Sequence, residues 1–224
     1  MHSTTRRFSG VAASILQNGS FETGNFSDWT LSGNTNDTVV VESSAYTYAG
    51  AFGVQSGAID SPVSISQALA TAPGQAYLIS CWVSNPEGAT PNEFLVTWNG
   101  SSLVNVTNII ATNWINLQAT GVATGASSIL AFVLQDNPGY LGLDDISVSP
   151  LPQPSFLTAN SAPGAIVFNW SALPGFGYQL QYTSDLGSGN WSNLGGAMTA
   201  SNGVLATTDS LTNSQRFYRL LLLP

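Results

Sequence analysis

Short apolar segments constrain the fold of this chain most strongly. Runs rich in Val, Ile, Leu, Phe, Tyr and Trp recur roughly every 8 to 15 residues, and clusters of Gly, Pro and Asn separate them. No segment keeps its apolar residues at a helical spacing over three turns, whereas short runs bounded by turn residues are typical of strands. The pattern therefore predicts an all-β protein.

The spacing of the runs predicts a larger sandwich followed by a smaller one. The first nine predicted strands are 38–42, 52–55, 64–69, 77–84, 93–98, 107–110, 115–120, 128–134 and 142–148. Nine antiparallel strands over this length fit a jelly-roll β-sandwich. A second group is predicted at 165–170, 178–183, 191–194, 204–208 and 216–222.

A proline-rich stretch separates the two groups of strands. Pro150, Pro152 and Pro154 occur within five residues, and proline fixes φ and lacks the N–H that a central strand needs. We therefore expect a first domain at 16–149, a Pro-rich linker at 150–154 and a second domain at 155–224.

The N-terminal segment 1–15 is expected to be leader-like or disordered. Arg6 and Arg7 precede a short apolar stretch that Ser9, Gly10 and Ser14 interrupt, which loosely imitates a signal peptide. The sequence leaves open whether this segment is a leader or a fragment. Elsewhere no run approaches the 18 apolar residues of a membrane helix, so membrane insertion is not expected.

Charge excludes one class of partner. The chain has 12 acidic residues against four cationic ones, all arginine, and a formal net charge of −8. Proteins bind phosphate backbones through clustered Lys and Arg. No nucleic-acid partner is therefore expected.

The residue inventory also excludes most catalytic chemistry. His2 is the one histidine, Cys81 is the one cysteine, and lysine is absent. Triads built on histidine, thiolate metal sites and Schiff-base lysines are therefore unavailable. We expect a protein that is not an enzyme, with Cys81 buried inside a strand.

Two motifs carry a resemblance to a known fold family. The opening Asn18-Gly19-Ser20-Phe21-Glu22, followed by Trp29, resembles the start of the CBM4, CBM9 and CBM22 jelly rolls of bacterial exported proteins. The segment 143–146, Leu-Asp-Asp-Ile, resembles their last strand. The resemblance covers residues 16–149 and implies a secreted or cell-surface carbohydrate-binding module whose partner is a polysaccharide or surface glycan.

The same resemblance implies a structural Ca²⁺. Carried over by position, Glu22 and Asp144 would be side-chain ligands, with backbone carbonyls near Ser20 and Ala51. Calcium takes six to eight hard oxygen ligands, which this set begins to supply. The segment 48–50 lacks an acid that relatives often carry. The alternative is that Glu22 caps a turn and Asp144 accepts hydrogen bonds from nearby amides.

Candidate sugar-binding residues are those aromatic and amide side chains that we expect to be exposed to solvent. Tyr46, Tyr48 and Tyr140 occur in predicted loops, and Trp82 faces away from the predicted core side of its strand. Aromatic rings stack on pyranose faces, and amides such as that of Gln135 bind hydroxyls. Residues 60–64 lack the aromatic that glycan-binding relatives often carry there.

The second group of strands resembles a fibronectin type III module. The resemblance rests on the segments 166–175, 178–182 and 216–219 and implies a spacer or adhesion unit. An alternative function is structural: an adhesive protein that self-assembles into a filament or surface array. Edge strands that lack charged residues favour such pairing between copies.

Overall fold

The computed structural model describes residues 12–210 and 215–223. Within these ranges the regular structure consists of strands and one 3₁₀ turn at Leu186–Ser188. The predicted all-β fold is confirmed. None of the described residues belongs to a helix long and apolar enough to cross a membrane. His2, Arg6 and Arg7 lie outside the described residues.

The chain divides into two compact units, Met1–Leu151 and Pro152–Pro224. The strands of the first unit are β1 Thr30–Gly33, β2 Thr38–Val41, β3 Gly53–Ser56, β4 Val63–Ala70, β5 Ala76–Asn85, β6 Asn92–Trp98, β7 Ser101–Thr107, β8 Thr112–Val122, β9 Ser127–Asp136 and β10 Leu141–Pro150. They form a first sheet ordered β1-β4-β9-β6-β7 and a second sheet ordered β2-β3-β10-β5-β8. All pairs are antiparallel, as in a jelly-roll sandwich.

Alternation along the strands builds the core between the two sheets. In β5, Tyr77, Ile79, Cys81 and Val83 are buried, while Trp82 on the opposite face is half-buried. Successive side chains of a strand point to opposite faces, so the outer face of the second sheet carries Trp82. Burial of Cys81 is confirmed, and it raises the pKa of the thiol to about 12.

The two motifs that carry the resemblance lie against each other. The Ile146 amide donates to the Gly19 carbonyl at 2.9 Å. A Cβ on Gly19 would lie 2.1 Å from the Ile146 oxygen, so only glycine permits this approach. Phe21 is fully buried and stacks on Trp29 with ring centroids 5.6 Å apart. The opening motif thus joins β10 to the core.

The first sandwich begins before residue 16. The Ile15 amide donates to the Val148 carbonyl at 2.8 Å, and the Val148 amide donates to Ser14 Oγ at 3.0 Å. Ser14 and Ile15 therefore pair with β10, although the sequence assigns them to the N-terminal segment. At the other end Pro150 is the last residue of β10, opposite Tyr77.

The prediction of a strand at 107–110 is wrong. The strand at this point, β7, ends at Thr107, and Asn108 takes a φ of 53°. The Ile109 amide then donates to Asn92 Oδ1 at 2.8 Å, which turns the chain away from the sheet. A side-chain hydrogen bond therefore sets the end of this strand, and a pattern of apolar residues does not reveal such a bond.

The described residues of the second unit form seven short strands. They are β11 Phe156–Ala162, β12 Ala165–Ser171, β13 Gly177–Thr183, β14 Ser192–Asn193, β15 Met198–Thr199, β16 Val204–Ser210 and β17 Phe217–Leu223. One sheet has the order β11-β12-β16, and β13 pairs with β14, β15 and β17 in the other. Trp170 and Tyr178 lie at the core. The fibronectin III-like identity of this unit stays a prediction.

Candidate functional site

The outer face of the second sheet carries a cluster of aromatic rings. Trp82 of β5 and Trp114 of β8 point outward, and Tyr48 reaches them from the loop 42–52. Tyr48 stacks on Trp82 with centroids 3.9 Å apart and an interplanar angle of 14°. Trp114 meets Tyr48 edge-on at 5.7 Å. We call Tyr48, Trp82 and Trp114 the aromatic platform.

A glycine leaves the sheet surface open beside these rings. Gly142 of β10 pairs with Ser84 of β5, and a Cβ at this position would lie 2.3 Å from Ser84 Oγ and 3.0 Å from the Trp114 ring. Ser84 Oγ is buried and has no hydrogen-bond partner within residues 12–210 and 215–223. Asn116 lies directly across from Trp82 and donates to Ser80 Oγ at 2.9 Å. Hydroxyl and amide groups therefore border the platform.

Two carboxylates anchor the loop that carries Tyr48. The Tyr48 and Ala49 amides donate to Asp144 Oδ2 at 2.8 and 3.0 Å. The Ala51 amide donates to both Glu22 oxygens at 3.0 and 3.1 Å. At Gly50, φ is +77° and a Cβ would lie 2.2 Å from Glu22 Oε1. The loop is thus held by one carboxylate from each of the two motifs that carry the family resemblance.

These bonds leave the carboxylates little free capacity for a metal ion. Glu22 Oε1 also accepts from the Phe52 amide at 3.2 Å, and Asp144 Oδ1 accepts from the Asp145 amide at 2.6 Å. Each carboxylate therefore uses about three of its four lone-pair positions. Burial raises the pKa of Asp144 to about 6, although the three amide hydrogen bonds act to lower it.

Calcium at Ser20, Glu22, Ala51 and Asp144 stays a prediction. The donors are hard oxygens of the kind that calcium prefers. Among the described residues, however, no group of three or more His, Cys, Asp and Glu side chains is placed to hold a metal ion. The arrangement of Glu22 and Asp144 corresponds to the hydrogen-bonded alternative.

A cavity of about 580 Å³ adjoins the platform. It is lined by Glu42, Ser43, Ser44, Thr47, Tyr48, Ala49, Gly50 and Ala51. This volume lies within the range of small-molecule sites, about 300 to 1,000 Å³. Tyr48 is 39% exposed and belongs to both the cavity and the platform. One tyrosine therefore connects a polar depression to an aromatic surface.

A second cluster contains Tyr46 and Tyr140. The expectation that Tyr46 is exposed is wrong: it is 7% exposed, and its hydroxyl donates to Glu87 Oε1 at 2.8 Å. Its ring meets Tyr140 edge-on at 6.3 Å. Burial, and then the hydrogen bond to Glu87, raises the pKa of Tyr46 above its usual range. Tyr140 packs over Gly57, where a Cβ would lie 2.5 Å from the ring.

Asp136 is a buried carboxyl beside this second cluster. It has no exposed surface, and neither Oδ forms a well-aligned hydrogen bond in the described part of the chain. Burial raises its pKa to about 6, and repulsion from Glu87 adds to the shift. The amides of Gly139 and Asn137 lie close enough to lower that pKa without compensating for burial.

Gln135 lies on the other sheet. In β9 it sits opposite Glu93 of β6, next to the fully buried Leu134, so it points outward from the first sheet. It lines a separate cavity of about 390 Å³ together with Pro91, Asn92, Glu93, Thr107, Asn108 and Asn137. The structure therefore brings Tyr48 and Trp82 together, pairs Tyr46 with Tyr140, and leaves Gln135 apart from both.

Sequence reasoning missed Trp114, which the structure places in the platform. Trp114 shares its strand face with Asn116 and Gln118, and this alternation of one aromatic with two amides is a signal of an outward face. The pairing of Trp82 with Asn116 fixes which residues of β8 share the face of Trp82. Register is not visible in the sequence of one strand.

Comparisons with known proteins agree with this architecture. The sequence matches no protein-family model, and it has no match among curated proteins. Among solved structures, the chain is similar to TmCBM61 in complex with beta-1,4-galactotriose, with a TM-score of 0.51 and 22% identity over 62% of this chain and 100% of that chain. It is also similar to the CBM22-1-CBM22-2 tandem domain of Paenibacillus barcinonensis Xyn10C, with a TM-score of 0.50 and 15% identity over 97% of this chain and 87% of that one. The chain thus has the β-sandwich fold that carbohydrate-binding modules use.

Proposed function

We propose that the first unit is a non-catalytic carbohydrate-binding module and that its sugar-binding surface is the aromatic platform with the adjoining cavity. The observation that carries this proposal is the cluster of Tyr48, Trp82 and Trp114 on one outer sheet face, bordered by hydroxyl and amide groups. TmCBM61, which has a similar fold, was solved with a galactotriose.

The geometry indicates where a sugar ring would stack. Tyr48 and Trp82 cover each other at 3.9 Å, so no sugar fits between them. The exposed part of Tyr48 is the surface available to the apolar face of a pyranose. Gln118 is exposed on the strand face that it shares with Trp114 and supplies an amide group for sugar hydroxyls on the same side of the sheet.

Charge favours a neutral glycan. The net charge is −8, and residues 12–210 contain no Lys, Arg or His. A sulfated or uronic-acid polymer would meet an acidic surface without cations to pair with it. We therefore place neutral polysaccharides first among the ligands. A polysaccharide does not cross a membrane unaided, so an extracellular location belongs to the same proposal.

Titration of intrinsic fluorescence with neutral oligosaccharides tests this function. Two platform residues are tryptophans, so binding should change their emission, and Tyr48→Ala should weaken affinity at least about tenfold, which corresponds to about 1.4 kcal/mol. Phe156→Ala is the matched control, because Phe156 is also 39% exposed and contacts another ring but lies in the second unit. Equal affinities of both variants and the unmodified protein would contradict the assignment of the platform.

A further inference from the structure

Two acids outside the platform converge on one point. Glu87 lies just after β5 of the second sheet, and Asp136 is the last residue of β9 of the first sheet. A Cβ on Gly139 would lie 3.1 Å from Asp136 Oδ2, 3.4 Å from Glu87 Oε2 and 2.5 Å from Ala89 Cβ. The two carboxylates therefore approach the same point beside Gly139, where glycine keeps a side chain from intruding.

The burial of Asp136 is only partly offset within the described residues, by the nearby amides of Gly139 and Asn137. It has no exposed surface, and both of its oxygens lack a hydrogen-bond partner in residues 12–210 and 215–223. Buried charges are costly unless they are paired, hydrogen-bonded or bound to a metal. A buried carboxylate without a well-aligned hydrogen bond is unusual enough to require a partner beyond the described residues.

The described residues of the first unit offer no cationic side chain as that partner. Residues 12–210 contain no Lys, Arg or His. Arg216 forms an ion pair with Asp209, and Arg219 donates to Gln181, both within the second unit. Arg6 and Arg7 lie outside the described residues.

A proton shared between the two acids fits the geometry less well. A shared proton requires the two carboxylates to approach as donor and acceptor, and no hydrogen bond joins Asp136 to Glu87. Glu87 is instead held through its other oxygen, Oε1, which accepts from the Tyr46 hydroxyl at 2.8 Å. This bond orients Glu87 so that Oε2 faces the space at Gly139.

We propose that Glu87 and Asp136 bind a divalent cation of the calcium class, at a site separate from Glu22 and Asp144. Two carboxylates neutralise the charge of one such ion, and calcium accepts carbonyl and water oxygens to complete six to eight ligands. A pyranose is too large to reach Asp136, which has no exposed surface, whereas Glu87 is exposed and gives a single ion access from solvent. The ion ties the end of β5 to the turn after β9.

The test uses the full chain, stripped with EDTA and then titrated with Ca²⁺ while thermal unfolding and binding heat are measured. We expect Ca²⁺ to raise the unfolding midpoint of the first unit, because a ligand that binds only the folded state stabilises it. Asp136→Asn and Glu87→Gln should each remove the part of this rise that the site at Glu87 and Asp136 contributes. Glu22→Gln is the matched control, because it removes the same charge from the other pair of acids, and it should leave the Glu87 and Asp136 response in place.

A direct probe distinguishes this site from the one predicted at Glu22. Tb³⁺ emission excited through tyrosine should appear in the unmodified protein and fall in Tyr46→Phe/Tyr140→Phe, since Tyr46 and Tyr140 border the acids. The proposal is overturned if Ca²⁺ leaves the midpoint unchanged at millimolar concentration. It is equally overturned if the full response survives both Asp136→Asn and Glu87→Gln. Glu87 is exposed, so Glu87→Gln keeps the test valid if Asp136→Asn does not fold.

Discussion

At the scale of single residues, Gly142 determines whether the platform is open. A side chain here would collide with Ser84 Oγ and press on the Trp114 ring. We predict that Gly142→Ala lowers the free energy of unfolding by about 1 to 3 kcal/mol, as overpacked sites do, and weakens sugar binding together with it.

Denaturant unfolding of Gly142→Ala and a sugar titration measure the two effects. Gly196→Ala is the control, because nothing lies within 4 Å of a Cβ there. A Gly142→Ala protein with unchanged stability and affinity would show that the strand surface beside Trp114 plays no part in binding.

Two buried carboxyls predict an unusual dependence of stability on pH. The pKa values of Asp136 and Asp144 are raised from 3.8 to about 6 in the folded protein. Folding therefore takes up protons between about pH 4 and pH 6, and the stability from these groups is full below pH 4 and lost as pH rises through 6. In EDTA, the unfolding midpoint should be higher at pH 5 than at pH 7.5.

Thermal unfolding at pH 5 and at pH 7.5 shows whether the midpoint falls with rising pH, as predicted. Asp136→Asn should reduce the difference between the two midpoints, because an amide does not titrate. A midpoint that rises from pH 5 to pH 7.5 in EDTA, and rises equally in Asp136→Asn, would contradict the account of these burial effects.

At the scale of elements, the loop 42–52 links both sequence motifs to the platform. Glu22 and Asp144 hold its amides, and the loop holds Tyr48 against Trp82. We predict that Asp144→Asn weakens sugar binding although Asp144 does not face the sugar, because the amide group of Asn offers one acceptor oxygen where the carboxylate offers two. Binding isotherms should show this loss, with Asp145→Asn, an exposed neighbour, unchanged.

The calcium predicted at the same loop has its own test. If Ca²⁺ joins Glu22 to Asp144, EDTA should lower the unfolding midpoint in a protein that already carries Glu87→Gln, and Glu22→Ala should remove that response. A Glu87→Gln protein that unfolds identically with and without EDTA would show that amides alone anchor the loop.

Strands in which buried and exposed residues alternate could be predicted from the sequence, whereas strands without this alternation could not. The alternation in β5 predicts both its core face and its outward Trp82. By contrast, β1 has one half-buried residue among four, and β11 is exposed over its first six residues, so neither has an apolar pattern to detect. The buried Tyr46 donates its hydroxyl hydrogen bond to Glu87, 41 residues away, and no local pattern encodes such a contact.

At the scale of the whole molecule, the proposed sugar-binding site lies within one of the two units. The platform, the anchored loop and both pairs of acids lie within the first unit, Met1–Leu151. We predict that a chain truncated after Leu151 keeps its sugar affinity, since Leu151 is buried and its amide donates to Ala76 within the first unit. Loss of binding in a truncated chain that is still folded would place part of the site elsewhere.

Self-assembly is the alternative that the sequence leaves open. The edge strand β2 exposes Val39, which is 46% exposed, and carries no charged residue. Analytical ultracentrifugation separates the two functions: a carbohydrate-binding module is expected to sediment as a small species at micromolar concentration. If large oligomers persist in Val39→Lys and bind no glycan, the result would favour self-assembly through other edge strands.

Retention on a panel of insoluble neutral polysaccharides tests whether the aromatic platform binds sugar. We predict that the unmodified protein and Phe156→Ala are retained on at least one of them, while Tyr48→Ala and Trp114→Ala pass through. Failure of the unmodified protein to bind any neutral polysaccharide, or full retention of both platform variants, would contradict the claim that the aromatic platform binds sugar.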